Sequence, residues 1–176
     1  KNLLKRIFYK YMSLDMYLSL GSNIEPREEY LKLAIENIRK YFVIEKISPI
    51  YETEPVDDLE QANFLNLSLF CRTEIKDPLK NLRILKDIEH SIGRKKDEKR
   101  PKGPRTIDID IIFLSDIKYN SEELTIPHKS FLKRNFVLIP LTDIIEDNLK
   151  EKYNFKKHIS ENKNQIVKKI GDLNIG

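Results

Sequence analysis

The chain has 176 residues, 40% of them hydrophobic, and a formal net charge of +4. That length suggests one domain with a real core, and no apolar run approaches the roughly 18 residues of a membrane helix. The start of the chain lacks the apolar centre of a signal peptide, and the single Cys71, inside an apolar run, cannot form an internal disulfide and reads as a buried thiol; together these point to a cytoplasmic protein.

A basic balance raises nucleic-acid binding, but the charge distribution argues against it. Residues 1–12 carry +4, residues 94–105 carry +5 and residues 149–176 carry +4, which leaves the rest at −9. An acidic body with one compact basic loop suits a small phosphate ligand better than a long duplex, so neither nucleic acid nor membrane is expected as a partner.

Residues 1–15 are basic and read as an N-terminal extension or the tail of an upstream domain, with Met12 and Met16 both plausible starts of the domain proper. Leu14 to Leu20 reads as a strand, and Gly21-Ser22-Asn23 as the turn after it. Pro26 opens a helix whose stripe is Leu31, Ile35, Ile38 and Phe42. A second strand is expected from Val43 to Tyr51, and a surface loop from Thr53 to Glu60. Asn63 to Thr73 is a third strand with Phe64, Asn66, Ser68 and Phe70 on one face. Asp77-Pro78 caps a second helix, with Leu82, Leu85, Ile88 and Ile92 as its stripe and Gly93 as its end.

Arg94, Lys95, Lys96, Lys99, Arg100, Lys102 and Arg105 then form a basic run, and Gly103-Pro104 turns the chain into a last strand. From Thr106 the residues alternate: Ile107, Ile109 and Ile111 on one face, Asp108 and Asp110 on the other. Two carboxylates two residues apart on a strand are separated by roughly 6.6 Å along it. Hard cations such as Mg²⁺ are bound by carboxylate oxygens, and paired catalytic metals lie roughly 3.5–4 Å apart. Metals beside a basic loop are what a triphosphate requires.

A polar hairpin from Ser115 to Thr125 leads to Ile126-Pro127-His128, and the apolar Phe136 to Ile145 reads as a short strand or turn running into a helix. Residues 147–176 read as a loose terminal helix or a partly ordered tail. The order βαββαβ predicts an α+β, ferredoxin-like antiparallel sheet with both helices on one face, an appended C-terminal part, and the other face free for a ligand. The division expected is 1–15 extension, 16–148 catalytic domain and 149–176 C-terminal helix or tail.

Four stretches resemble one family, the 6-hydroxymethyl-7,8-dihydropterin pyrophosphokinases of folate synthesis. They are Leu18-Ser19-Leu20-Gly21-Ser22-Asn23; Phe64-Leu65-Asn66; Gly103-Pro104-Arg105-Thr106-Ile107-Asp108-Ile109-Asp110; and Ile126-Pro127-His128 followed by Arg134 and Phe136. The resemblance spans about residues 16–145 and implies pyrophosphoryl transfer from ATP to the pterin hydroxymethyl oxygen, with AMP released. It implies attack at the β-phosphorus with two Mg²⁺ ions on Asp108 and Asp110. Arg94 and Arg105 resemble catalytic-loop arginines, and Lys96 stands where an arginine is common. Glu89, Arg94, Lys96, Arg105, Ile111, His128 and Arg134 would bind ATP. Thr53, Glu54, Pro55, Val56, Phe64, Asn66 and Phe136 would bind the pterin, with the two rings stacking and the Asn66 amide matching the amino-oxo edge. Phe64 replaces a frequent tyrosine, and Lys102 replaces an aromatic found in some members. The resemblance also admits a multifunctional folate-synthesis chain.

Two other readings compete. A two-metal nucleotidyltransferase or palm-type polymerase also uses Asp-x-Asp on a strand, but Gly21-Ser22 lies far upstream of Asp108 and no third carboxylate is evident. An RNA-binding ferredoxin-like module would need exposed sheet aromatics and basic flanks, which the acidic body and the Asp pair oppose. The sequence leaves the oligomeric state, the order of substrate binding and the role of the C-terminal tail open.

Overall fold

The computed structural model describes residues 12–55, 61–93 and 104–175. Strands β1 (Leu14–Ser22), β2 (Val43–Ile47), β3 (Ile50–Thr53), β4 (Phe64–Thr73), β5 (Asp108–Leu114) and β8 (Val167–Gly171) form one sheet. Its order is β5-β1-β4-β3-β8, with β2 also paired to β4, and every pairing is antiparallel. Helices α1 (Arg27–Ile38) and α2 (Pro78–Ile92) cover one face. A hairpin of β6 (Tyr119–Asn120) and β7 (Thr125–Ile126) leads to a 3-10 turn at Phe131–Lys133, then to α3 (Asn135–Thr142), α4 (Asp147–Lys152) and α5 (Phe155–Glu161).

The periodicities translate directly into packing. Leu31, Ile35 and Ile38 of α1 and Leu82, Leu85 and Ile88 of α2 meet Leu18, Leu20, Leu67, Leu69, Ile109 and Ile111 in the main core. Each such side chain contributes about 1.5–3 kcal/mol when fully buried. The Asp77 carboxylate accepts from the Leu79 and Lys80 amides at 2.9 and 3.4 Å, and Gly93 takes φ 121° at the other end, a conformation that disfavours a side chain.

Four features differ from the sequence reading, each for a physical reason. The strand expected at 43–51 is two strands, because Pro49 has no N–H to give the ladder. Ser48 patches the break: its N–H donates to the Ser68 carbonyl at 2.9 Å, and its hydroxyl accepts from the Ser68 amide at 2.8 Å. Strand β1 continues through Gly21 and Ser22 instead of turning there, since both pair with β4. Residues 167–171 form an edge strand on β3 where a loose helix or tail was expected. The second sheet face is only half free: α3 and residues around it cover Tyr17, Phe70, Ile112 and Phe113 in a separate apolar cluster. Ile112 has no partner in the β1–β5 register, a bulge that turns Leu114 back into the main core.

Candidate active site

The half of this second face outside the apolar cluster carries the polar side chains. Cross-strand register fixes three rows over β4, β1 and β5: Phe70–Tyr17–Phe113, Ser68–Ser19–Asp110 and Asn66–Gly21–Asp108. The first lies under α3, and the other two carry the amide and both carboxylates. Alternation along a strand made these side chains share a face, and register alone set Asn66 and Asp108 either side of Gly21.

Asn66 is 3% exposed, and its Nδ2 donates to Thr53 Oγ1 at 2.7 Å. Its Oδ1 lies over Gly21, where an added Cβ would approach to 2.8 Å. The absence of a Cβ at Gly21 is what lets the Asn66 amide oxygen sit there. Phe64 begins β4, half-buried, and Phe136 sits half-buried in the first turn of α3. The Arg134 guanidinium stacks over the Phe136 ring at 5.6 Å. Beyond Thr53, Glu54 is exposed and Pro55 buried; Val56 lies outside the described residues.

Asp108 accepts from Arg105 Nη1 at 2.6 Å. Burial works against the Arg105 charge, but Asp108, with Asp110 and Glu89 behind it, outweighs this and raises the guanidinium pKa. Asp110 is held above the usual carboxylate range by burial first and by the Asp108 charge second; Lys86, His128 and Arg134 oppose the shift. Those opposing charges place His128 and Arg134 in the electrostatic reach of Asp110.

Glu89, beside a helix stripe in sequence and expected at the nucleotide by resemblance, is fully buried. Its Oε1 accepts from the Ile109 amide at 2.6 Å and from Lys86 Nζ at 2.7 Å, and Lys86 Nζ also donates to the Ile109 carbonyl at 3.3 Å. Strand β5 is a sheet edge, so two side chains of α2 close its hydrogen bonding between the two aspartates. The Ile111 side chain is 2% exposed in the main core, so only its backbone is available to a nucleotide.

His128 follows Pro127, and its amide donates to the Ile112 carbonyl at 3.0 Å. Its Nδ1 accepts from the Ser130 amide at 3.2 Å, which leaves Nε2 to carry the proton in the neutral ring. Burial lowers its pKa against the pull of Asp110, favouring that neutral form. Arg94 and Lys96, expected at the phosphates, and Lys102 and Gly103 lie outside the described residues.

Two side chains that sequence reasoning did not single out belong to this site's frame. Lys86 contributes a cation beside Asp110. Asn23, 4% exposed, joins three segments: its Oδ1 accepts from the Arg105 amide at 2.7 Å, and its Nδ2 donates to Gln61 Oε1 at 3.1 Å and to the Ala62 carbonyl at 3.3 Å. The Asn23 amide also donates to the Arg105 carbonyl at 3.1 Å. It stands inside a quoted motif, yet no local pattern names partners that lie 38, 39 and 82 residues away.

The carboxylate pair suits a hard cation. Its donors are oxygens, and its mutual repulsion, evident at Asp110, is what a bound cation relieves. Among the described residues no group of three or more His, Cys, Asp or Glu could hold a metal ion. An open two-carboxylate site is how Mg²⁺ is often held, with substrate phosphates and waters completing its shell. No helix among the described residues is long and apolar enough to cross a membrane.

Comparison with known proteins places the chain in a family. Residues 17–146 match the family model of 7,8-dihydro-6-hydroxymethylpterin-pyrophosphokinase (HPPK). The 2-amino-4-hydroxy-6-hydroxymethyldihydropteridine pyrophosphokinase of Bacillus subtilis (strain 168) is 37% identical over 137 residues, covering 77% of this chain and 80% of that protein. The bifunctional protein FolKE of Lactococcus lactis subsp. lactis (strain IL1403) is 42% identical over 147 residues, covering 82% of this chain but 41% of its own length. The chain thus spans about two-fifths of that bifunctional relative. In fold it is similar to a crystal structure of Plasmodium falciparum HPPK-DHPS, with TM-score 0.66 and 19% identity over 85% of this chain and 44% of that one. With most of its length matched to one family and a relative matched along most of both chains, the chain belongs to the 7,8-dihydro-6-hydroxymethylpterin-pyrophosphokinase family.

Proposed function

We propose that this chain transfers a pyrophosphoryl group from ATP to the hydroxymethyl oxygen of 6-hydroxymethyl-7,8-dihydropterin, giving the pterin diphosphate and AMP, in folate biosynthesis. The observation that carries this reading is one row of the sheet: a buried amide and a carboxylate flank Gly21, with a second carboxylate one row behind. The strand order, with two helices on one face, supports the ferredoxin-like plan.

The pterin would lie between Phe64 and Phe136, its amino-oxo edge on the Asn66 amide, with Thr53 fixing which way that amide points. Backbone groups of Thr53, Glu54, Pro55 and Val56 would meet the remaining edge. Asp108 and Asp110 would hold two Mg²⁺ ions, which supply neutralisation of the phosphates and orientation of the attacking hydroxyl. The hydroxymethyl oxygen bonds to the β-phosphorus of ATP, the bridge from that phosphorus to the α-phosphate oxygen breaks, AMP leaves, and the hydroxyl proton is released. His128, as the neutral Nε2–H donor, Arg134 and the Ile111 backbone would frame the nucleotide, with the buried Glu89 supporting the β5 backbone beside it. Arg94, Lys96 and Arg105 would complete the charge cancellation, with Arg105 already held at the carboxylate pair by Asp108.

The match to FolKE over less than half that relative supports a further reading, that the chain serves within a multifunctional folate-synthesis protein of which residues 16–148 are the pyrophosphokinase domain. The buried Cys71 thiol, pushed well up by its burial, suits a reducing, cytoplasmic setting.

The direct test incubates the protein with Mg-ATP, with and without 6-hydroxymethyl-7,8-dihydropterin, and resolves the nucleotides. AMP formed only with the pterin is the expected result. ADP, or no change in a folded sample, overturns the reading.

A further inference from the structure

The match to the family model ends at residue 146, yet the chain beyond it reaches both walls of the proposed pterin pocket. Asn162 and Gln165 grip the turn that carries Arg134 and Phe136. Asn162 Nδ2 donates to the Leu132 carbonyl at 2.9 Å and to Asn135 Oδ1 at 3.3 Å. Gln165 Nε2 donates to the Lys133 carbonyl at 2.8 Å, and its Oε1 accepts from the Asn135 amide at 2.9 Å. Asn135, 3% exposed, returns the grip: its Nδ2 donates to the Ile159 and Asn162 carbonyls at 3.2 and 3.1 Å.

This clasp holds backbone on both sides of Arg134 and leaves that residue's side chain, and that of Phe136, to project. The Asn135 amide belongs to the first turn of α3, which has no partner within the helix; Gln165 supplies one from 30 residues away. Two residues after Gln165, Val167 begins β8 and pairs with Thr53, the residue that orients Asn66. Residues 162–167 therefore run from the wall that bears Phe136 to the wall that bears Thr53.

We infer that Asn162 and Gln165 are positioning residues for pterin binding: their side-chain amides set the Arg134–Phe136 turn relative to the Thr53–Asn66 wall. The inference rests on the proposed function. Apolar anchors such as Phe155 and Leu173 already attach this segment to the body. The amides add what apolar packing does not supply, a direction and a register for the turn.

The test measures pterin affinity by fluorescence titration, with Mg²⁺ and a non-hydrolysable ATP analogue present, alongside the melting temperature. Asn162→Ala and Gln165→Leu are expected to weaken pterin binding about three- to tenfold per lost pair of hydrogen bonds. Gln165→Glu, which retains the acceptor for the Asn135 amide, should recover part of that loss. Leu173→Ala, which thins the core under the same segment and leaves the amides alone, should lower the melting temperature and keep pterin affinity within about twofold. Affinity that simply follows melting temperature across all four variants, or that is unchanged in Gln165→Leu, overturns the inference. A wild-type protein that binds the nucleotide analogue but no pterin overturns the functional reading itself, and this inference with it.

Discussion

One sheet face carries two regions built from the same three strands and with opposite fates. At one end Tyr17 stacks on Phe70, centroids 4.8 Å apart and planes 15° apart, and meets Phe113 edge-on at 6.2 Å. That end is sealed by Val137, Leu138 and Leu141 of α3. Four residues further along β1, the row is Asn66–Gly21–Asp108, with a glycine where the other row has a tyrosine. The aromatic row buries area and stabilises. The two polar rows hold an amide and two carboxylates on this face at the cost of burial, and of Asp108 repulsion, at Asp110. A sheet face is thus divided between stability and chemistry row by row, and the boundary falls where the side chains change from rings to hydroxyls and carboxylates.

The division can be broken from either side. Phe113→Ala should destabilise the fold by about 3–5 kcal/mol; a denaturation curve close to wild type would mean that the aromatic row is not a stability element. Asp108→Ala should reduce turnover by more than about a hundredfold, beyond the loss typical of groups that merely support metal ligands, with circular dichroism unchanged. Near-normal AMP production by that variant would remove the carboxylates from the chemistry. Gly21→Ala pushes a methyl against Asn66 Oδ1, and should raise the KM for the pterin about tenfold, the scale of a misplaced hydrogen-bonding group. Equal effects on the KM values for ATP and pterin would show that the Asn66 amide does not read the pterin.

The smallest expected effect concerns Asp110 and pH. Its pKa is raised on folding above the ordinary 3.8, so the folded protein holds a proton that the unfolded chain releases. The favourable contribution exists at low pH and is lost as pH climbs from 3.8 through the raised value. In chelator-treated protein, Asp110→Asn should therefore melt a few degrees higher than wild type at neutral pH, with the advantage shrinking towards acid. A variant that melts lower at neutral pH would mean that the carboxylate is stabilised where it sits.

Much of this was legible beforehand because the patterns are local. The Asp77 cap, both helix stripes and the alternation of Ile and Asp before Ile112 depend on neighbours a few residues away. The carboxylate pair is legible for the same reason. The Glu89 carboxylate on the Ile109 amide is not legible in this way, because a sheet edge is visible only once strand order is known. The roles of Gly21 and Asn23 escaped for a similar reason: a strand-end glycine and a turn asparagine look alike in sequence until β4 and the Arg105 segment come to lie against them.

By itself the sequence determined the two long helices, the strands that carry Asn66 and the aspartates, the face on which those side chains stand, and the family motifs, because periodicity, capping and turn chemistry act over a few residues. Only the tertiary structure decided which row joins the apolar cluster under α3 and which rows stay outside it, that β1 runs on beneath the Asn66 amide, and that Asn162 and Gln165 clasp the turn bearing Phe136. Those outcomes turn on register and on hydrogen bonds between residues tens of positions apart, which exist only after the sheet has assembled.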